Sequence, residues 1–166
     1  MDATMPQHMR VEELPALVWL GAFETGNAKI DGEHRELLAD MNDLSTCLTE
    51  GREWWRIVGA SKQLRDKCVA HFRNERKVLK ESRYRKLAAH EIQHRYIEQQ
   101  LVDVIACIDA VARPSRAEVE AILYLRSMLI HHFFRYDLAF KLHLLHAHTK
   151  TSPSRLRGAR ASDTRQ

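Results

Sequence analysis

The stretch LAAHEIQHRYIEQQLVDVIACI, residues 87–108, decides how the chain is to be read. Leu87, His90, His94, Ile97, Leu101, Val104, Ile105 and Ile108 recur at spacings of three and four, which is the period of one face of an α-helix. Two positions on that apolar stripe are histidines, inside the pattern H-E-x-x-H. A helix sets His90 and His94 one turn apart on one face. The same five letters occur in zinc metalloproteases, where the glutamate acts as general base. Here, however, Glu91 falls about 100° around the helix from His90. The short motif therefore leaves two readings open, a peptidase or a different metal site, and the rest of the chain must separate them.

The other segments repeat the helical period. Ile30, His34, Leu37, Leu38, Met41, Leu44 and Leu48 form one stripe, with Asp31 placed to cap its start and Glu50-Gly51 its end. A second runs from about residue 53 to 80 and carries Trp54, Val58, Leu64, Cys68, His71, Phe72, Glu75, Val78 and Leu79. The stretch from residue 87 stops at ARPS, residues 112–115. Ser115 and Glu118 then form an S-x-x-E capping box behind Pro114. The last stripe holds Ile122, Leu125, Leu129, His132, Phe133, Tyr136, Asp137 and Phe140. No strand pattern is present, and 6 Gly and 4 Pro supply little turn chemistry for a β fold. Four amphipathic segments with short joints predict an all-α fold, an antiparallel up-down-up-down four-helix bundle over residues 19–148. Residues 1–18 read as an extended N-terminal arm anchored by Trp19. Residues 149–166 lack apolar periodicity and read as a disordered basic tail.

With 166 residues the chain is long enough to bury a core. No run of about 18 apolar residues suggests a membrane span. The acidic N-terminus, with Asp2, Glu12 and Glu13, does not read as a signal peptide. Cys47, Cys68 and Cys107 fall among apolar helical positions and are expected as buried, reduced thiols. A cytoplasmic location follows as the expectation. The formal charge of +4 belongs to the tail, where Lys150, Arg155, Arg157, Arg160 and Arg165 face only Asp163. The remaining 21 basic and 21 acidic residues cancel. The tail suits an acidic protein partner. Nucleic acid is not expected as a partner, and the domain is expected as a monomer.

Five histidines and two acids occupy positions where the stripes call for apolar residues: His34, His71, Glu75, His90, His94, His132 and Asp137. Each forgoes about 1.5–3 kcal/mol of apolar burial, and a buried charge must be paired or bound to a metal. His71 and Glu75 are four apart, as are His90 and His94. His132 and Asp137 are five apart and would diverge by about 140° on a regular helix. A π-bulge would bring them together. Seven donors exceed the three or four of a zinc site. They suit two ions with shared carboxylates, and imidazole with carboxylate suits iron. A peptidase reading leaves His34, His71, Glu75 and Asp137 without a purpose.

In order along the chain, IDGEH, HFRNE, HEIQH and HFFRYD resemble the motif series of the hemerythrin family, in particular its bacterial single-domain members. The resemblance covers residues 19–140, and Trp19 resembles the family's N-terminal aromatic. It implies that His90, His94 and His132 hold one iron and His34 and His71 the other. Glu75 and Asp137 would bridge them together with an oxo or hydroxo group. The iron with fewer ligands would keep an open position for dioxygen, in a pocket of Leu37, Phe72, Leu129 and Phe133 that excludes water. Two ferrous ions against two carboxylates and a hydroxide leave a mildly positive cluster, which favours reversible binding over oxidation chemistry.

Arg76 stands where the family often has a second acid, and Glu33 where it often has a glutamine. Neither is expected to touch the ligand set. His131 competes with His132 for the register, and counting back five from Asp137 selects His132. His8, His143, His146 and His148 fall outside the pattern. The expected function is reversible dioxygen binding, as a carrier, store or deliverer, without enzymatic turnover. The alternatives are an oxygen or redox sensor that binds a partner, and a di-iron enzyme of the peroxidase, nitric oxide-handling or ferroxidase kind.

Overall fold

The computed structural model describes Val11 and residues 14–151, with side chains through His146. Four helices are joined by links of four to six residues. They are α1 (Ala28–Thr49), α2 (Trp54–Glu81), α3 (Leu87–Asp109) and α4 (Arg116–His132). A π turn, Phe133–Asp137, and a 3-10 turn, Leu138–Phe140, lead from α4 into α5 (Lys141–Thr151). Consecutive helices pack side by side, and the described residues hold no strand, so the predicted all-α bundle is the observed one. Its fourth column is α4 and α5 with irregular helix between them. No helix of the described residues is long and apolar enough to cross a membrane.

Local chemistry sets the helix ends. Asn27, not Asp31, caps α1: its side chain accepts from the Lys29 and Ile30 amides, each at 3.2 Å. Asp31 lies one turn in and is buried, because its carboxylate accepts from the Thr25 amide at 2.7 Å and the Thr25 hydroxyl at 2.8 Å. It ties down the loop ahead of the helix. Past the end of α1, Gly51 adopts φ +65°, the left-handed turn expected at Glu50-Gly51. The capping box at Ser115 and Glu118 forms as read. Trp54 opens α2 and donates its Nε1–H to the carbonyls of Ile108 and Val111, both at 3.1 Å, which pins the start of α2 to the end of α3.

Val11, Leu14, Leu17 and Trp19 lie against the main core. Asn42 exchanges two hydrogen bonds with the Leu17 backbone, at 2.8 and 2.9 Å, and Arg126 donates to the Pro15 carbonyl at 2.8 Å. Trp19 is the anchor expected of it, with its ring 5.8 Å from that of Phe133 and 6.4 Å from that of His34. Residues 1–10, 12 and 13 of the arm lie outside the described residues, as do residues 152–166 of the basic tail and any partner docking by them. Helix α5 runs through Thr151, so the first three residues assigned to a disordered tail are helical.

The expectation of three buried thiols needs correction. All three cysteines are free, but only Cys68 is buried; Cys47 is half-buried and Cys107 exposed. Two steps along a helix rotate a side chain by about 200°, so Cys107 points away from the face that buries Ile105.

The core has two apolar layers. The larger runs from Leu37 on α1 through Phe72 on α2 and Ile97 on α3 to Leu129 on α4. The smaller gathers Ile30, Leu79, Phe140 and Leu144, with Leu87 against them. On every column the chain passes between the two layers through histidine or acid. His34 lies between Ile30 and Leu37, Glu75 between Phe72 and Leu79, His90 and His94 between Leu87 and Ile97, and His132 and Asp137 between Leu129 and Phe140.

Candidate metal centre

The polar layer is buried: none of the seven residues is more than 5% exposed. The π turn from Phe133 to Asp137 takes up one extra residue, as the five-residue spacing requires. It swings Asp137 back so that Oδ1 lies 3.0 Å from His132 Nε2. His132 is buried and its neighbour His131 exposed, which fixes the register on His132.

The seven side chains form two overlapping groups. Ligand atoms of Glu75, His90, His94, His132 and Asp137 all lie within 4.8 Å of one another, and so do those of His34, His71, Glu75 and Asp137. Both groups contain the same two carboxylates. Asp137 divides its oxygens between them: Oδ1 faces His132 at 3.0 Å and His90 at 3.6 Å, while Oδ2 faces His34 at 3.3 Å. Glu75 turns Oε2 to His90 at 2.9 Å and His94 at 3.0 Å. Its Oε1 is buried without a hydrogen-bond partner.

Other donors are left unpartnered too. His34 Nδ1 and Nε2, His71 Nε2, His132 Nδ1 and Asp137 Oδ1 are buried without a hydrogen bond. His94 Nε2 and His132 Nε2 sit only 3.0 Å apart. An unsatisfied buried polar group costs about 1–3 kcal/mol, so this layer is poor as protein structure alone. Metal would account for the orphaned atoms that face the layer, His34 Nε2, His71 Nε2, Glu75 Oε1 and Asp137 Oδ1, though not for Nδ1 of His34 and His132. The donors thus fit metal binding, in two overlapping groups that share Glu75 and Asp137.

The electrostatics are mixed: burial opposes the charged form of His90 and His71, yet their hydrogen bonds to Glu75 and Glu33 shift both up. Burial and the other carboxylate press Glu75 toward its neutral form, yet hydrogen bonds from His90 and His94 hold it well below the usual carboxylate range. Burial likewise opposes ionisation of Asp137, and His132 and His34 reverse that. His94 is shifted down, chiefly by burial, toward the neutral imidazole a metal needs. Stacked rings hold the imidazoles in place. Phe72 lies 4.0 Å from His94 at 15°, and Tyr136 lies 5.4 Å from His132 at 23°.

A cavity of about 30 Å³ opens beside His34 and His71. The four pocket residues read from sequence, Leu37, Phe72, Leu129 and Phe133, all line it. Leu38, Met41 and Cys68 line it as well and were not singled out. Their signal was in the sequence, since positions 38 and 41 follow His34 by four and seven, and Cys68 precedes His71 by three. One water needs roughly 10–15 Å³ of such space, so the cavity admits a molecule of one or two heavy atoms.

Glu33 requires a second correction. It was expected to stay clear of the ligand set, but its Oε2 lies 3.0 Å from His71 Nδ1. Asn74 donates to its Oε1 at 2.7 Å. One step back from His34 rotates Glu33 about 100°, into the α1–α2 seam. Arg76 does stay clear: it pairs with Glu91 at 2.7 Å. That pairing also removes the peptidase reading, because Glu91 is bound to an exposed arginine outside the buried layer.

A buried cluster of histidines and acids able to hold metal, within a four-helix bundle, is therefore the class that fold and site define. The chain belongs to the hemerythrin family: the hemerythrin HHE cation-binding domain matches residues 25–141, a span that contains all seven donors. It is a metal-binding domain of that family. No curated protein and no solved structure matches the chain.

Proposed function

We propose that the centre holds two iron ions and binds dioxygen reversibly in the cavity beside His34 and His71, so that the domain carries, stores or delivers oxygen rather than turning it over. One observation carries this reading. The two donor groups share both carboxylates but are unequal, with three histidines in one and two in the other. The cavity is lined by both histidines of the smaller group, His34 and His71, but by only His132 of the three in the larger.

A ferrous pair, when bound, supplies the electrons that hold dioxygen. The chain's own residues do the rest. Glu75 and Asp137, common to both donor groups, would hold both ions and offset part of their charge. His90, His94 and His132 would hold one ion, and His34 and His71, with one histidine fewer, would hold the other and leave room for a ligand. Leu37, Phe72, Leu129 and Phe133 exclude the water that would promote loss of electrons from the site. The cavity offers no acid–base group beyond the donor set itself except Cys68, whose thiol burial pushes far up and leaves protonated. This favours binding over turnover by a peroxidase or related di-iron enzyme.

The test is spectroscopic. Iron-loaded protein is reduced without oxygen, then exposed to air and degassed in cycles. A visible band that rises with oxygen and falls on its removal supports the proposal. Direct passage to a ferric spectrum, with no reversible band, refutes the carrier reading in favour of an enzyme or redox sensor. A metal-loaded protein with no visible band refutes iron.

A further inference from the structure

We infer that Glu33 is a positioning residue for the metal centre: acting through His71, it fixes the imidazole tautomer and strengthens donation to the ion with fewer protein ligands, which lowers that ion's reduction potential. The inference rests on the two-iron reading above.

The geometry is specific. Glu33 reaches from α1 across the seam to α2, and both its oxygens are engaged, one by His71 Nδ1 at 3.0 Å and one by Asn74 Nδ2 at 2.7 Å. Asn74 thereby holds the carboxylate in place. An ionised carboxylate only accepts, so Nδ1 of His71 carries the proton. The lone pair is then on Nε2, the His71 atom that lacks any partner in the protein. Among the five histidines, His71 alone has a carboxylate on the ring nitrogen that faces away from the site. The His90, His94, His132 and His34 contacts with acids are all through Nε2, to Glu75 or Asp137.

The effect falls on one ion only. His71 is one of just two histidines in its group. A negative group hydrogen-bonded to a ligand raises ligand basicity, and changes to such outer partners typically alter metal affinity by about 10–100-fold. The carboxylate also favours the ferric over the ferrous state, because the added positive charge lies within a buried layer where screening is weak. Glu33 itself is 20% exposed, at the rim of that layer.

Two substitutions separate bond from charge. Glu33→Gln keeps an oxygen to accept from Nδ1 and removes the charge. Glu33→Ala removes both. The experiment is a redox titration followed by visible absorption on iron-loaded wild type and both variants, with iron per chain measured against a competing chelator. Glu33→Gln is expected to keep two irons and to be reduced at a higher potential, by about 59 mV for each tenfold change in the ferric-to-ferrous affinity ratio. Glu33→Ala is expected to lose one iron at chelator levels where wild type keeps both, an affinity loss of about 10–100-fold. An unchanged potential in Glu33→Gln overturns the inference, as does wild-type iron affinity in Glu33→Ala. Wild type that never takes up a second iron overturns the two-iron reading, and this inference with it.

Discussion

Replacing His34 with leucine should stabilise the metal-free protein. His34 is 3% exposed, and neither of its ring nitrogens has a hydrogen-bond partner. Its ring lies among the rings of Phe133, at 4.6 Å, His71, at 4.6 Å, and Trp19, at 6.4 Å. Leucine is of similar bulk and belongs in such surroundings. Relief of the unsatisfied nitrogens is worth about 1–3 kcal/mol. The opposing loss is the 3.3 Å contact with Asp137, which keeps His132 at 3.0 Å and His90 at 3.6 Å. The net expectation for His34→Leu without metal is a gain of about 1–2 kcal/mol, or roughly 3–6 °C in melting temperature for a domain of this size. With metal the sign reverses, because any ion bound only by the folded state adds about 2.7 kcal/mol at a hundred times its Kd. The variant has lost that share for one ion. Urea unfolding with and without chelator measures both quantities. A metal-free His34→Leu protein less stable than metal-free wild type would mean that the polar layer is satisfied as protein structure, and the cation reading of its orphaned atoms would be wrong.

Three further outcomes follow from particular contacts. Trp54→Phe keeps an aromatic ring but deprives the Ile108 and Val111 carbonyls of their shared donor, so it should cost about 1–3 kcal/mol in denaturant unfolding without changing metal content. In native protein a thiol-alkylating reagent should modify the exposed Cys107 first and leave Cys68 untouched until unfolding, since burial pushes the Cys68 thiol up and removes its reactive thiolate; peptide mapping after timed alkylation reads the order. Glu91→Gln breaks only a surface pair with Arg76, worth about 0–1 kcal/mol, and should leave metal stoichiometry and the visible spectrum unchanged, whereas loss of bound metal would restore a role for the H-E-x-x-H glutamate.

The bundle was legible because burial imposes a period on the sequence, and four separate stripes kept that period over several turns. The donor set was legible for the same reason, as polar residues at positions such as His94 and Glu75 stand out against leucines. Even the π turn could be read, since a spacing of five from His132 to Asp137 does not fit one helix face. What escaped were choices made across seams. Glu33 and Asp31 look like solvent-facing or capping acids in one dimension. Their true partners, His71 from 38 residues away and the backbone of Thr25, exist only after packing. Cys107 was misplaced because it adjoins Ile108 in sequence but not in direction. Leu38, Met41 and Cys68 had the right spacing from His34 and His71, but that spacing is shared by ordinary core residues, and a leucine on a stripe does not announce that it lines a void.

Leu38 carries a further consequence. On α3 the donor His90 is followed four residues later by a second donor, His94. On α1 the donor His34 is followed four residues later by Leu38, which lines the cavity beside His34, His71 and Asp137. Positions four apart share a helix face, so the missing donor of the smaller group corresponds to a leucine. Leu38→His should therefore fill the gap. Without metal it should destabilise, by about 1–3 kcal/mol, because it places a polar ring at a site only 8% exposed. With metal that loss should be recovered, because the new imidazole gains a ligand role. Both ions should be retained, and the oxygen-dependent visible band should disappear, since no position remains for a ligand from solution. Metal content, melting temperature with and without chelator, and the air-and-degas spectral cycle together decide the matter. A Leu38→His protein that keeps two irons and still shows the reversible band would place the open position elsewhere than beside His34 and His71. The shortage of one histidine would then not be what opens this centre to the oxygen binding proposed for it.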